Sequence, residues 1–312
     1  MMGGDYAPLE TVKGVRQYLD AEKNPADLVL FGDESIIRDL LNNEQTASEH
    51  IQIIHAPEVV GMHEHPTKAL KEKQQSSIAV GFTYLAKGKI DAFISAGNTG
   101  AMMVGALYSI KAIEGVSRPT IGTYLPRENG TLGLLLDAGI NADCKPENLV
   151  QFAILGSLFV QHLWNVASPK VGLLNIGEEE GKGNLLTQAT YPLLKSNALL
   201  NFVGNVEGRD IFTEKADVVV CEGFTGNVIL KMAESIHDIT SRRHIHDEYF
   251  DRFDFEQYGG VPVLGVAKPV IIGHGISHGP SFKNMISLAQ HIIEKDLLGK
   301  IKASFNISIS NA

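Results

Sequence analysis

Ala216-Asp217-Val218-Val219-Val220-Cys221-Glu222-Gly223-Phe224-Thr225-Gly226-Asn227-Val228 is an apolar, β-branched run that opens into a loop of small residues. The run from Ala216 to Cys221 predicts a buried parallel strand, because it has a turn signal at each end and no polar alternation. Gly223, Thr225, Gly226 and Asn227 let the backbone approach a guest at the strand's carboxyl end, where doubly wound α/β sheets bind their ligands. A helix is expected from Asn227 to about Ile239. Gly226 and Asn227 would present unpaired N–H groups at its start, a setting that receives a phosphate or an oxyanion.

The same grammar recurs outward in both directions. Ala92-Phe93-Ile94-Ser95 is a short buried strand followed by Ala96-Gly97-Asn98-Thr99-Gly100-Ala101, again strand, small-residue loop and helix. Val171 to Gly177 predicts a strand that leads through Glu178-Glu179-Glu180-Gly181-Lys182-Gly183-Asn184 into a helix. Lys182 is an ammonium flanked by glycines at a strand end, and the competing reading is a solvated cation beside three glutamates.

Leu28–Phe31, Ile51–His55 and Pro269–Ile272 are further strands, and helices are expected over Leu9–Leu19, Lys68–Ala86 and Ser281–Leu297. Arg118–Tyr124 and Thr131–Leu136 form a hairpin around Asn129-Gly130, a strong turn signal. Its second arm ends in Asp137-Ala138-Gly139-Ile140-Asn141-Ala142-Asp143, with Asp137 or Asn141 facing the cleft and Asp143 a helix cap before Pro146. Met2-Gly3-Gly4-Asp5 is a glycine turn of the kind that follows a strand, although no strand precedes it in these residues.

Strand–helix alternation of this kind implies an α/β fold, a doubly wound and mostly parallel sheet with helices on both faces. At 312 residues and 44% hydrophobic content there is ample material for a core. We expect one α/β catalytic domain over 1–312 with a helical insertion at about 228–258.

A net charge of -9 argues against nucleic acid. The two separated cysteines suit a reducing compartment. With no run of 18 apolar residues and no signal-peptide pattern, the reading is cytoplasmic, with any membrane contact peripheral. His274 and His278 are separated by glycines and belong to a loop at a pocket rim rather than to a metal helix. His244 and His246 lack the ligands to complete a set, so no metal is expected. Cys221, in a buried strand, reads as inert packing.

In this order Met2-Gly3-Gly4-Asp5, Ser95 to Ala101, Asp143-Cys144-Lys145-Pro146-Glu147, Leu174 to Glu179 with Lys182-Gly183-Asn184, Asn205 to Asp210, Gly223 to Asn227 and Tyr258-Gly259-Gly260 resemble the PlsX phosphate acyltransferases of bacterial phospholipid synthesis. The resemblance spans nearly the whole chain. It implies an isocitrate/isopropylmalate dehydrogenase-like or phosphotransacetylase-like fold. It also implies transfer of an acyl group from acyl-[acyl carrier protein] to inorganic phosphate, without a cofactor, and delivery of the acyl phosphate to a glycerol-3-phosphate acyltransferase. A homodimer and loose attachment to a membrane surface come with it.

Carried over motif by motif, Lys182 and Asn227 become the catalytic groups. Gly4, Asp5, Asn98, Thr99, Asp137, Asn141, Asn175, Glu178, Asn184, Asn205, Thr225, Gly226 and His274 become substrate or phosphate ligands. Ile140 and Glu222 stand where the family usually has Ala and Asp, and the connection from Asn227 to Tyr258 is shorter than the family's. The alternatives are a phosphotransacetylase-like enzyme acting on acyl-CoA and a non-catalytic scaffold that docks the carrier protein. A dehydrogenase is disfavoured because no G-x-G-x-x-G follows a strand with its acidic partner.

Overall fold

The computed structural model describes residues 1–47 and 49–310. They form two compact units, Met1–Lys111 with Phe255–Pro262 and Val266–Glu294, and Ala112–Asp254 with Val263–Gly265 and the C-terminal residues.

In the first unit β1 (Leu28–Gly32) and β2 (Ile51–His55) pair in parallel, and β3 (Phe93–Ser95) pairs in parallel with β10 (Val270–Ile272). Val261 and Pro262, the start of β9 (Val261–Leu264), run antiparallel to β10. Helix α1 (Leu9–Ala21) packs against α10 (Gly279–Glu294), burying Val12, Val15, Tyr18 and Ile286. Fully burying one such side chain contributes about 1.5–3 kcal/mol. A cavity of about 520 Å³ runs beside Leu28–Phe31 and Ala92–Ala96, roofed by Phe282, Ile286 and Ile293.

The second unit holds the longer sheet. β4 (Thr120–Pro126) and β5 (Leu132–Leu136) form the expected antiparallel hairpin, and Val263 and Leu264 of β9 pair with β4. From β5 onward the strands are parallel, in the order β5, β8 (Val218–Val220), β6 (Lys170–Leu174) and β7 (Asn201–Val206). Four parallel neighbours put four strand-end loops along one edge.

Helix α6 (Pro146–Leu163) buries Phe152, Phe159 and Leu155 completely. It crosses the sheet at Gly156, where an added Cβ would meet Leu136 and Val218 at 2.6 and 2.7 Å. The architecture is therefore the α/β fold that the sequence indicates, mostly parallel with helices around the sheets.

Several local expectations are corrected. The helix foreseen over Lys68–Ala86 is two helices, α3 (Pro66–Glu72) and α4 (Ser77–Ala86), because Ser76 turns the chain and its hydroxyl accepts from Ala79 N–H. The helix expected over Ser281–Leu297 is likewise divided into α10 and α11 (Leu297–Ser310), with Asp296 between them at φ 48°. The cap of α6 is Lys145 rather than Asp143, with Lys145 N–H donating to Asn148 Oδ1 at 2.8 Å.

Residues 228–258 comprise the remainder of α8 (Gly223–Arg242), α9 (Glu248–Asp251) and a short 3₁₀ turn. Among the described residues no helix is long and apolar enough to cross a membrane.

Candidate active site

The loop after β8 starts its helix earlier than its spacing suggests. Glu222 is the cap of α8, and its carboxylate accepts from Thr225 N–H at 3.2 Å and from the Thr225 hydroxyl. Gly223 N–H donates to Asn141 O at 2.8 Å and Gly226 N–H to Glu222 O at 3.0 Å. The amides of Gly223, Thr225 and Gly226 are thus engaged by the protein itself, contrary to the expectation of free N–H groups there. What the loop does offer is Asn227. Its side chain is exposed and makes one long contact, Nδ2 to Ala138 O at 3.4 Å. Gly226 has no room for a side chain, since a Cβ would lie 1.8 Å from Asp137 O.

The loop after β5 forms the floor beneath Asn227. Asp137 is fully buried. Its Oδ1 accepts from Gly139 and Ile140 N–H, both at 3.2 Å, and from Ile121 N–H at 3.4 Å. Its Oδ2 accepts from Asn141 N–H at 2.7 Å and Asn141 Nδ2 at 2.6 Å. Asn141 Nδ2 also donates to Pro119 O. These two side chains therefore organise a turn, with their polar atoms facing inward.

After β6, Asn175 N–H continues the ladder to Val206 O, and its Nδ2 donates to Lys182 O at 3.0 Å. Asn184 caps α7 (Leu185–Lys195) by accepting from Thr187 N–H. Two of the three glutamates near Lys182 are engaged elsewhere: Glu178 pairs with Lys215 at 2.7 Å and Glu180 with Lys195 at 2.9 Å, while Glu179 lies with the Lys182 stem over Gly177. Lys215 also binds Asp210 at 2.7 Å, which raises its pKa against the opposing effect of burial. No ion pair to Lys182 is found among the described residues, and its side chain is exposed. An exposed amine with no ion pair fits the competing reading, a solvated cation, as well as it fits a catalytic one. Asn205 is buried on β7 and donates to Glu179 O at 2.9 Å.

Lys182 and Asn227 follow β6 and β8, which are hydrogen-bonded neighbours running in the same direction. The segments that carry them therefore leave the sheet from the same edge.

In the first unit Asn98 is buried and left-handed at φ 40°. Its Oδ1 accepts from Ala101 N–H, and its Nδ2 donates to Gly61 O and Glu64 O. Thr99 is exposed at the start of α5 (Thr99–Gly105). Gly4 lies at φ 97°, and Asp5 N–H donates to Gly275 O at 2.7 Å. His274 rests 4.6 Å from the Phe255 ring. Sequence reasoning overlooked Tyr6, which stacks at 4.6 Å on His278, itself bound to Glu256. No spacing rule links these three residues. Among the described residues no group of three or more His, Cys, Asp or Glu side chains is arranged to hold a metal ion.

A model of the family described as fatty acid synthesis protein matches residues 1–247. A phosphate acyltransferase of Dictyoglomus turgidum is 42% identical over 98% of this chain and 96% of its own length. The chain belongs to the PlsX family of phosphate acyltransferases. Another member, the phosphate acyltransferase of Desulforamulus reducens, is 44% identical over 97% of this chain and 95% of its own. Among solved structures, a phosphotransacetylase from Streptococcus pyogenes superposes with TM-score 0.65 at 18% identity, covering 92% of each chain. A branched-chain phosphotransacylase from Enterococcus faecalis gives 0.61 at 15% identity, over 93% and 98%. At these identities the likeness is one of fold.

Cys144 and Cys221 differ from the reactive cysteines of acyl-enzyme chemistry. Burial first, and then the charge of Asp137, pushes the Cys144 thiol up to about 11. Burial and the charge of Glu222 hold the Cys221 thiol well above its ordinary value. Both remain protonated near neutral pH, and a thiol is a poor nucleophile. Cys144→Ala and Cys221→Ala are expected to keep the acyl-transfer rate within about threefold of wild type, measured at 25 °C. Loss of the rate in a folded variant would return a cysteine to the chemistry.

Proposed function

We propose that the chain transfers the acyl group of acyl-[acyl carrier protein] to inorganic phosphate, releasing free carrier protein and the acyl phosphate used in phosphatidic acid synthesis. What supports this reading is that Lys182, exposed and without an ion pair among the described residues, and the exposed Asn227 lie on the segments that leave two adjacent parallel strands of a PlsX-family chain.

The chemistry needs no protein nucleophile, because hydrogen phosphate supplies one. A phosphate oxygen bonds to the thioester carbonyl carbon and the carbonyl electrons move onto oxygen, where Asn227 Nδ2 donates to the oxyanion. Collapse breaks the C–S bond. The sulfur takes a proton from the Lys182 ammonium, leaving the neutral amine, and the proton that hydrogen phosphate gives up restores the ammonium. The protein's contribution is position and a fixed electrostatic field.

Phosphate and substrate contacts in the second unit are assigned to Glu178, Asn184 and Thr225; Gly4, Asp5, Thr99 and His274 are candidate contacts within the first unit. Arg242 and Arg243, exposed at the end of α8, suit docking of an acidic carrier protein. Phe224, Val228, Met232 and Ile239 are exposed along α8, which supports the family's homodimer and peripheral membrane contact in a cytoplasmic setting.

The test is an incubation with acyl-[acyl carrier protein] and graded inorganic phosphate, with acyl phosphate trapped by hydroxylamine and free carrier thiol counted. Equal amounts of both products, saturating with phosphate, are expected, with acyl-CoA the poorer donor. Thioester loss that ignores phosphate overturns the reading, and a preference for acyl-CoA transfers it to phosphotransacetylase chemistry.

A further inference from the structure

The loop that carries Lys182 is held by two amide side chains from neighbouring strands. Asn175, at the end of β6, accepts from Ile176 N–H at 2.9 Å through Oδ1 and donates through Nδ2 to Lys182 O at 3.0 Å. Asn205, on β7, donates through Nδ2 to Glu179 O at 2.9 Å. The same Glu179 carbonyl accepts from Lys182 N–H at 3.1 Å. The backbone of Lys182 is therefore fixed at both its carbonyl and its amide, and each fixing point is tied to a side chain of the sheet.

Gly183 completes the turn. It lies at φ 98°, and an added Cβ would stand 2.1 Å from Thr187 Oγ1 and 2.3 Å from Asn175 Oδ1. Glu178 and Glu180 are engaged by Lys215 and Lys195, and among the described residues no carboxylate forms an ion pair with the Lys182 amine.

Asn205 is 2% exposed and its Oδ1 is buried with no hydrogen-bond partner among the described residues. A side chain kept only for stability gains little from one hydrogen bond while burying an unpaired oxygen. We infer that Asn175 and Asn205 are positioning residues that set the reach of Lys182, and that neither is a phosphate ligand. The inference rests on the reading of Lys182 given above. It deepens that reading by naming what aims the amine.

Asn205→Ala, with Asn175→Ser as a second and milder variant, tests it in the full chain. Phosphate titrations should show kcat lowered on the order of 10²-fold, as expected for a displaced catalytic group, with KM for phosphate within about threefold. In a Lys182→Ala background the Asn205→Ala change should add less than about twofold, because the two act as a unit. Faster amide hydrogen exchange confined to residues 178–183 is expected in either variant.

A raised KM for phosphate with kcat retained would make the asparagines ligands. An undiminished loss in the Lys182→Ala background would make them merely structural. Either result overturns the inference. A wild-type chain that forms no acyl phosphate refutes the functional reading instead, and hydrogen exchange then decides the clamp by itself.

Discussion

Lys182→Ala is expected to lower acyl-phosphate formation on the order of 10³-fold at saturating phosphate, equivalent to about 4 kcal/mol of transition-state stabilisation. The fold should be untouched. The side chain is exposed and has no ion pair among the described residues. On the proposed mechanism the loss arises because the departing sulfur must leave as a thiol or as a thiolate next to a cation, and removal of the Lys182 amine leaves it neither. Lys182→Arg separates the two roles. A guanidinium keeps the charge but does not release a proton, so recovery of about tenfold over the alanine variant points to charge, and no recovery points to proton donation.

Asn227→Ala should cost somewhat less, on the order of 10²-fold, since backbone groups can still approach the oxyanion. Trapping by hydroxylamine measures all three variants. A Lys182→Ala enzyme working within threefold of wild type would remove the amine from the reaction.

The parts of this site visible in sequence are those written in local spacing. Val218–Val220 reads as a strand because three β-branched residues stand between turn signals, and Ile51–His55 does so for the same reason. The hairpin is announced by Asn129-Gly130. β7 is harder, because Asn201, Gly204 and Asn205 interrupt its apolar run, and only its pairing with β6 makes it a strand. β9 contains Pro262 and pairs partly through tertiary neighbours, so propensity argues against it.

The site shows the same division. Lys182 and Asn227 are noticeable in the sequence as polar residues in strand-end loops, but their proposed catalytic roles come from the family resemblance. That Asp137 and Asn98 spend their polar atoms on backbone groups cannot be read from the sequence. Asn98 reaches Gly61 and Glu64, and Asp137 reaches Ile121, partners set by the fold rather than by neighbouring residues. The family resemblance supplies roles for such residues but not the direction in which their hydrogen bonds run. For the same reason Glu222 can stand where aspartate is more usual: its carboxylate reaches the Thr225 amide and hydroxyl and so starts α8.

Asp137→Ala is the substitution expected to damage the fold most. Five donors converge on this carboxylate, from Ile121, Gly139, Ile140 and both nitrogens of Asn141. Alanine leaves all of them buried beside a space too apolar to replace the charge. Breaking a buried charged network of this kind costs about 3–5 kcal/mol. At roughly 2–4 °C per kcal/mol, the melting temperature should fall by about 10 °C.

Asp137→Asn tests the cause. The amide keeps the volume and one acceptor oxygen for Gly139 and Ile140, but its NH₂ opposes the donors of Asn141. A loss of about half the alanine value is therefore expected. The damage should also reach catalysis below the melting transition, because Gly226 packs directly on Asp137 O and Asn227 leans on Ala138 O. On the proposed mechanism a turn that loosens displaces Asn227, so the rate should fall in Asp137→Asn while KM for phosphate changes little. Thermal denaturation followed by near-ultraviolet circular dichroism measures the stability. An Asp137→Ala protein melting within about 2 °C of wild type would show that the turn beneath Asn227 is held by something other than this carboxylate.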